Sequence, residues 1–519
     1  MSRPNETGIL SRRRVLRATL MAGAGAIGSG LLAACGGAAA VGTITTSGAI
    51  SASTTPITSA AATTTTAGTT SALSTASGAA TTSTVSTAGG AATTSASGTG
   101  TSATSTAAAT SVRAATTVVP KAGTVNFYAY VSNPAETGQW NGYAKQYMAT
   151  HPGTQVAVSG TGSDYWTKLS TMMAGGAPPD VVQLYSLVFA PFAAKGTLLD
   201  LSPYIARDKY DLSDFYPVSY EAFNWKGTKL GLSTDLYLVG FYYVPDLFAA
   251  AGVKEPDNTW TWENVREAAQ KLTKPDKSQF GIRLANDYSR WATVVWDYGA
   301  EFFERKDDPR KANFLQQPII DGVSLWADMI NKDHSSPTDA ELAANKQLYF
   351  WFGTMGMDVV DGPTILSLVK KSKADLKWAV APYPKGPGGA NTTGAFPDGL
   401  EIPKGTKEAD GAWNLLKYFV SAEFLTTFAA DTGRMPSRKS LAEGAAYQKA
   451  FTDAGVQHAD QLPAAATDAA TLANSGANDQ IRALANKEMQ QSWAGTRAVK
   501  DSLQAIQQQV QPLLDALPQ

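Results

Sequence analysis

Cysteine and histidine are both scarce in this chain. Of 519 residues, one is cysteine, Cys35, and three are histidine: His151, His334 and His458. A single cysteine excludes an intramolecular disulfide and any metal site built from several thiolates. The histidines lack the spacing of metal ligands, and no EF-hand-like loop is present. We therefore expect neither a metal nor a cofactor.

The familiar catalytic signatures are also missing. Beyond residue 121 there is no G-x-S-x-G nucleophile elbow, no P-loop and no H-E-x-x-H motif. We therefore predict no catalytic residues and expect the protein not to be an enzyme. One enzymatic alternative stays open, because a glycoside hydrolase needs only two carboxylates that can lie far apart in sequence.

Neither sign of charge dominates. The chain has 43 Lys and Arg against 44 Asp and Glu, a net charge of −1. Without the first 35 residues the balance is 38 basic to 43 acidic, near −5. Nothing in this balance favours binding to nucleic acid or to an anionic membrane surface.

Residues 1–35 have the pattern of an export signal. A basic cluster, Ser11–Arg17, precedes a weakly apolar stretch, Ala18–Ala34, that ends in the run Leu-Ala-Ala-Cys. The cluster resembles the twin-arginine export signal, with valine where that pattern prefers phenylalanine, so general secretory export stays open. The ending resembles the lipobox of bacterial lipoproteins, which implies lipidation of Cys35 and anchoring on the extracytoplasmic face of the membrane. The alternative is a chance cysteine after an uncleaved anchor.

Residues 36–120 consist almost wholly of Thr, Ser, Ala and Gly, with one charged residue, Arg113. Such a composition has too little apolar surface to offset the entropy of ordering the chain. We expect a disordered tether, open to O-glycosylation, that spans roughly 50 Å if it behaves as a flexible coil. Neutral low-complexity drift is the alternative.

Residues 121–519 alternate between strand and helix patterns. Strand-like Val125–Val131 is followed by aromatics at helical spacing, then by a strand at 155–158, a helix at 165–174 and a short strand at 179–184. This order predicts an α/β fold with right-handed crossovers, and the length predicts two lobes. Ligands of such sheets bind beyond the carboxyl ends of the strands, here at 130–133 and 185–186.

Two later helices are also indicated. Thr261 is expected to cap one of them. The last carries an apolar stripe of Val499, Leu503, Ile506, Val510 and Leu514.

Several short runs, in order, resemble the family 1 extracellular solute-binding proteins of ABC importers, the maltose-binding-protein-like group. They are Ala174–Val182 (AGGAPPDVV), Lys195–Leu201 (KGTLLDL), Tyr242–Phe248 (YYVPDLF), Thr259–Glu263 (TWTWE) and Gly433–Pro436 (GRMP). Val244 stands where the family usually has Asn. Each run is weak alone, but their order and spacing across 121–519 are specific.

The resemblance implies a periplasmic-binding-protein-like fold, with two α/β lobes that close on a ligand cleft about crossing segments. Lobe 1 would hold about 121–233 and 399–437, and lobe 2 about 237–398 and 438–519. The crossings would fall near 234–236 and 397–399.

The same resemblance implies a set of ligand-binding residues around the cleft. These are Ser132, Asn133, Tyr185, Asp235, Asn286, Tyr288, Trp291 and Trp493. Aromatic faces suit the apolar side of a sugar ring, and carboxylates and amides suit its hydroxyls. After Asp361 the family often has a stacking Trp where this chain has Thr364, which leaves the identity of the sugar open.

Four of these residues also have a purely structural interpretation. Tyr288, Trp291 and Trp493 are core aromatics if the mapping is wrong, and Asp235 is then a turn or capping residue. Arg434 is expected to pair with a local carboxylate.

The resulting hypothesis is a monomeric substrate-binding component that captures a mono- or oligosaccharide and delivers it to the membrane permease of an ABC importer. The alternatives are a binding protein for another polar solute such as a glycerol-phosphodiester, a lipid-anchored glycoside hydrolase, and a surface adhesin.

Overall fold

A computed structural model describes residues 123–518, with the backbone alone for 361–364. The predicted export signal, Cys35 and the tether lie outside the described residues, as does the side chain of Thr364.

The described chain contains eleven strands. They are β1 (Thr124–Tyr130), β2 (Gln155–Thr161), β3 (Val181–Tyr185), β4 (Asn224–Trp225), β5 (Thr228–Lys229), β6 (Gly231–Tyr243), β7 (Phe280–Arg283), β8 (Met355–Asp361), β9 (Ala379–Ala381), β10 (Ala395–Glu401) and β11 (Met435–Pro436).

Helices connect the strands and cover the sheet. They are α1 (Pro134–Thr150), α2 (Tyr165–Ala174), α3 (Ser186–Ala194), α4 (Ser202–Asp208), α5 (Pro217–Glu221), α6 (Pro245–Ala251), α7 (Trp262–Leu272), α8 (Tyr288–Asp297), α9 (Gln317–Asn331), α10 (Asp339–Ala344), α11 (Gly362–Ser372), α12 (Ala409–Phe419), α13 (Ala422–Thr432), α14 (Lys439–Ala442), α15 (Ala445–Asp453), α16 (Gln461–Ala466), α17 (Asn478–Trp493) and α18 (Val499–Asp515).

Nine strands form one sheet, in the order β2-β1-β3-β10-β6-β8-β7, with β9 and β11 also paired to β6. Strands β2, β1 and β3 are parallel, as are β7 and β8, while β10 and β6 run antiparallel to their neighbours. The parallel strands are joined through α1 and α2, so their carboxyl ends lie at one edge.

The 13-residue strand β6 belongs to both halves of the sheet. Its first part pairs with β10, and its last part, from Val239 to Tyr243, pairs with β8 and β9. Within the part that pairs with β10 the register skips Thr234, because Asp398 faces Asp235 while Gly399 faces Ser233. An extra residue of this kind bends a strand and increases its twist. This irregularity lies where the crossings were predicted; the lobe boundaries stay predictions.

Core residues lie on both faces of each half of the sheet. Phe127 and Tyr128 point into different apolar clusters beside the first half, and Phe241 and Tyr242 do the same beside the second. This is the alternation expected of strands covered on both faces.

The α/β fold class predicted from the sequence is confirmed. Helix α2 has the predicted bounds, and Thr261 caps α7 in a capping box with Asn264. All five residues of the predicted C-terminal stripe are buried.

Candidate functional site

Three aromatic side chains meet at the carboxyl edge of the first half of the sheet. Tyr130 ends β1, Tyr185 ends β3 and Trp166 lies in the first turn of α2. The Tyr130 and Trp166 rings are stacked with centroids 5.9 Å apart, and Tyr185 meets each of them edge-on at 5.3 Å. All three are partly exposed. We call Tyr130, Trp166 and Tyr185 the aromatic platform.

The position of the aromatic platform is fixed by Tyr165, the residue before Trp166. This fully buried residue places its hydroxyl oxygen 2.9 Å from the backbone oxygens of Tyr128 and Gln183, and accepts the Gln183 N–H at 3.1 Å. The bonds fasten the start of α2 to both β1 and β3, which fixes the position of the neighbouring Trp166.

An ionic cluster lies beside the platform, where β10 and β6 pair. The Nη1 atom of Arg434 donates to Asp235 at 3.2 Å and to Asp398 at 3.1 Å. Asp398 is also the cross-strand neighbour of Tyr185, which connects the cluster to the platform. Here Arg434, Asp235 and Asp398 are called the ion triad.

Burial and neighbouring charges both shift the pKa values of the ion triad. Burial raises the pKa of Asp235 in spite of the nearby guanidinium, and Thr234 donates to its Oδ1. Burial by itself lowers the pKa of Arg434, but Tyr237, Asp235 and Asp398 hold it well above its usual value. Burial and Asp398 raise the pKa of the Tyr185 hydroxyl, which therefore stays neutral and can donate.

Three of the predicted ligand-binding aromatics lie close together on α8 and at the end of α17. Tyr288 and Trp291 lie on α8 with ring centroids 5.0 Å apart, and Trp493, at the end of α17, lies 6.5 Å from Trp291. All three are buried, and Trp291 is fully so. A small cavity beside Tyr288 is also lined by Leu187 of α3.

These aromatics have polar atoms without partners. Among the described residues, the Tyr288 hydroxyl and the Nε1 atoms of Trp291 and Trp493 have no hydrogen bond. The hydroxyl of Ser186, directly after β3, likewise has no hydrogen-bond partner among the described residues. Buried donors without acceptors are costly. The Nε1 atom of Trp326, in the core on α9, also has no partner among the described residues, so this state by itself does not mark a ligand site.

Ser132 and Asn133 are exposed at the end of β1 and organise the start of α1. The Asn133 side chain accepts from the N–H groups of Ala135 and Glu136. The Glu136 carboxylate in turn accepts from Ser132 Oγ at 2.6 Å and from Asn133 Nδ2 at 2.9 Å. Their present role is therefore helix capping. Asn286, before α8, is partly exposed.

The structure thus places the predicted ligand-binding residues in separate groups and not in a single cluster. Trp291 contacts both Tyr288 and Trp493. Tyr185 belongs to the aromatic platform, and Asp235 belongs to the ion triad and has no exposed surface. The expected pairing of Arg434 with a local carboxylate is confirmed. The ligand-binding roles themselves stay predictions.

Sequence reasoning did not single out Trp166 or Tyr237. Trp166 directly follows a strand-to-helix connection, a position that could have been recognised. Tyr237 lies three residues after Thr234, the residue that the register skips, and only the tertiary structure shows that its ring lies 5.1 Å from the Arg434 guanidinium.

Within residues 123–518, no group of three or more His, Cys, Asp or Glu side chains is arranged to hold a metal ion. In the same range, no helix combines the length and apolar character that crossing a bilayer requires.

Residues 131–424, more than half of the chain, match the bacterial extracellular solute-binding protein family. The chain belongs to that family. The resemblance noted in the sequence is thereby confirmed, and so is the expectation of a binding protein, since the family is one of solute binders.

Individual relatives are distant. A putative binding protein of Brucella abortus is 24% identical over 282 residues, which are 53% of this chain and 66% of that protein. An arabinooligosaccharide-binding protein of Bacillus subtilis is 24% identical over 260 residues, 49% of this chain and 58% of that protein. The chain thus spans just under two thirds, or less, of the length of these two relatives.

Among solved structures, a substrate-binding protein of an ABC system from Listeria monocytogenes, in complex with cycloalternan, superposes with a TM-score of 0.66. Its sequence is 21% identical, and the match covers 76% of this chain and 99% of that one. This likeness supports the periplasmic-binding-protein-like fold.

Proposed function

We propose that this solute-binding protein captures a mono- or oligosaccharide and delivers it to the membrane permease of an ABC importer. The aromatic platform at the carboxyl ends of β1 and β3 carries the proposal, because it presents partly exposed rings where ligands of α/β sheets bind. Such rings suit the C–H face of a sugar.

The polar surroundings of the platform support a neutral solute. The ion triad contains two carboxylates for one guanidinium, so it offers no net positive charge to an anionic glycerol-phosphodiester. The neutral Tyr185 hydroxyl and the partly exposed side chain of Arg434 can instead form hydrogen bonds with the hydroxyl groups of a sugar.

We propose that α8 and the end of α17 form a second wall, which supplies the remaining contacts. The partly exposed Asn286 contacts the solute when the two lobes rotate towards each other about the crossings in β6 and β10, whereas the buried Tyr288, Trp291 and Trp493 contact it only in a conformation that uncovers them. The buried donors of Tyr288, Trp291 and Trp493 then receive acceptor oxygens that the described residues do not provide. Closure is stabilised by contacts that form only when both walls touch the solute.

Location follows from the N-terminal sequence. We propose that Cys35 carries the lipid, that residues 36–120 tether the binding module to the extracytoplasmic face of the cell membrane, and that the protein works as a monomer. The family is extracellular by description, which agrees with this location.

A thermal-shift screen of the purified mature protein tests the function. Maltotriose, arabinotriose, lactose and mannitol serve as sugar and polyol probes, and glycerophosphocholine serves as the phosphodiester. We expect stabilisation by at least one sugar with a micromolar dissociation constant, about −8 kcal/mol. Stabilisation by glycerophosphocholine alone, or turnover of a chromogenic glycoside, would contradict the proposal.

A further inference from the structure

Two buried carboxylates share one nitrogen at the centre of the sheet. Asp235 has no exposed surface and Asp398 almost none, yet both accept from Nη1 of Arg434. Removing the cation would take from two buried carboxylates the positive charge that both of them bond to, which is costly. The arrangement is therefore held strongly in one geometry.

The two carboxylates belong to the two crossing strands. Asp235 lies on β6 and Asp398 on β10, and they face each other at the last pair before the register skips Thr234. Arg434 comes from a third segment, because it directly precedes β11, whose residues Met435 and Pro436 pair with β6. One guanidinium thus joins three backbone segments at the register shift.

The guanidinium also orders aromatic rings. Its carbon lies 5.1 Å from the Tyr237 ring centroid and 5.7 Å from that of Phe428. Phe428 belongs to the core of the first half of the sheet, and Tyr237 packs against the core of the second. Cation–π attraction at these distances orients both rings.

We propose that Arg434 is the positioning residue of the crossing, because it holds β6 and β10 in a fixed position relative to each other. The two halves of the sheet then rotate about one defined point. Tyr185 and Tyr237 therefore keep their positions beside the solute. The expected effect of Arg434 on solute binding rests on the proposed function. The fixing of β6 to β10 by Arg434 is independent of that function.

A second arginine in the same sheet provides a matched control. Arg283 donates to the buried Asp358 at 3.0 Å and lies 5.5 and 5.8 Å from the rings of Tyr349 and Trp351. It resembles Arg434 in pairing and stacking, but it joins β7 to β8, away from the crossing. Arg434→Met and Arg283→Met therefore remove comparable interactions at different places.

Amide hydrogen exchange of the unliganded proteins tests the fixing of β6 to β10. We expect Arg434→Met to speed exchange at least tenfold in residues 235–238 and 396–399, and Arg283→Met to leave those amides unchanged. Titrations with maltotriose, arabinotriose, lactose and mannitol test the effect on binding. For the probe that binds the wild type best, Arg434→Met should raise the Kd at least tenfold and Arg283→Met less than twofold.

A charge-free variant separates positioning from simple charge compensation. Arg434→Met combined with Asp235→Asn and Asp398→Asn carries no buried unpaired charge, so it should regain the melting temperature that Arg434→Met loses. A Kd that stays at least tenfold raised, together with amide exchange that stays at least tenfold faster in residues 235–238, supports positioning. Recovery of wild-type affinity, or unchanged exchange in Arg434→Met, would overturn it. If no probe binds the wild type, the proposed function fails, while the exchange comparison still decides the role of Arg434.

Discussion

The hydroxyl of Tyr165 lies 2.9 Å from the backbone oxygen of Tyr128 and bonds α2 to β1. The equally buried hydroxyl of Tyr288 has no such partner among the described residues. Two tyrosines with the same burial therefore differ in whether the chain itself uses their hydroxyl. That difference distinguishes a structural hydroxyl from one that the proposed function assigns to the solute.

Removing the hydroxyl of Tyr165 should lower stability, whereas removing that of Tyr288 should weaken sugar binding. Tyr165→Phe loses a hydrogen bond and leaves buried backbone groups unpaired, so we expect the free energy of unfolding to fall by about 1–3 kcal/mol. Tyr288→Phe should leave that free energy unchanged or slightly raised while raising the Kd for the best-binding sugar several-fold. Urea unfolding and isothermal titration calorimetry measure the two quantities. Loss of stability without loss of affinity in Tyr288→Phe would remove this residue from the site.

The aromatic platform predicts a large loss of affinity in Trp166→Ala. The ring is partly exposed and stacks on Tyr130, so its removal deletes a flat apolar face without opening the deep core. We expect at least a tenfold rise in Kd, about 1.4 kcal/mol, measured by calorimetry. Trp351→Ala is the control and should leave the Kd unchanged, because this partly exposed Trp packs against a core cluster beside the second half of the sheet, away from the platform.

Lys229 makes the stability of the protein depend on pH. Its side chain is buried, donates to the Tyr220 backbone oxygen and lies over the Tyr220 ring. Burial lowers the pKa of Lys229 to about 7. The unfolded chain therefore binds more protons between pH 7 and the ordinary lysine pKa, and stability rises with pH in that window.

We expect the free energy of unfolding to increase by about 2 kcal/mol from pH 7 to pH 9 through this group. Urea unfolding at the two pH values measures the increase, and Lys229→Met should abolish it. Lys449→Met, at an exposed lysine paired with Asp453, should keep the wild-type increase. An increase of the same size in Lys229→Met would show that another group is responsible.

Cys35→Ser tests the lipid anchor. Without a thiol to acylate, the protein should move from the membrane fraction to the soluble extracytoplasmic fraction, because a stable anchor needs acyl chains. Fractionation with immunoblotting, and mass spectrometry of the N-terminal peptide, measure the change. Unaltered membrane association of Cys35→Ser would contradict lipidation at this residue.

Local patterns predicted much of the fold. The bounds of α2, the cap at Thr261 and the buried C-terminal stripe follow from helical periodicity and capping chemistry, which act over a few residues. The candidate site was harder, since Trp166 and Trp291 both lie near the start of a helix, on α2 and α8. One is fully buried and the other is part of the platform, and periodicity does not distinguish a core face from a cleft wall.

The sequence by itself determined the α/β class, the family and the regions at the carboxyl ends of β1 and β3 where a ligand is expected, because these depend on local order and on motifs. Only the tertiary structure decided that Asp235 and Asp398 share Arg434. It also decided that Trp166 stacks on Tyr130 and that, among the described residues, the buried hydroxyl of Tyr288 has no partner. The contacts link residues up to about two hundred positions apart, and they exist only after the strands and helices that carry them have packed together.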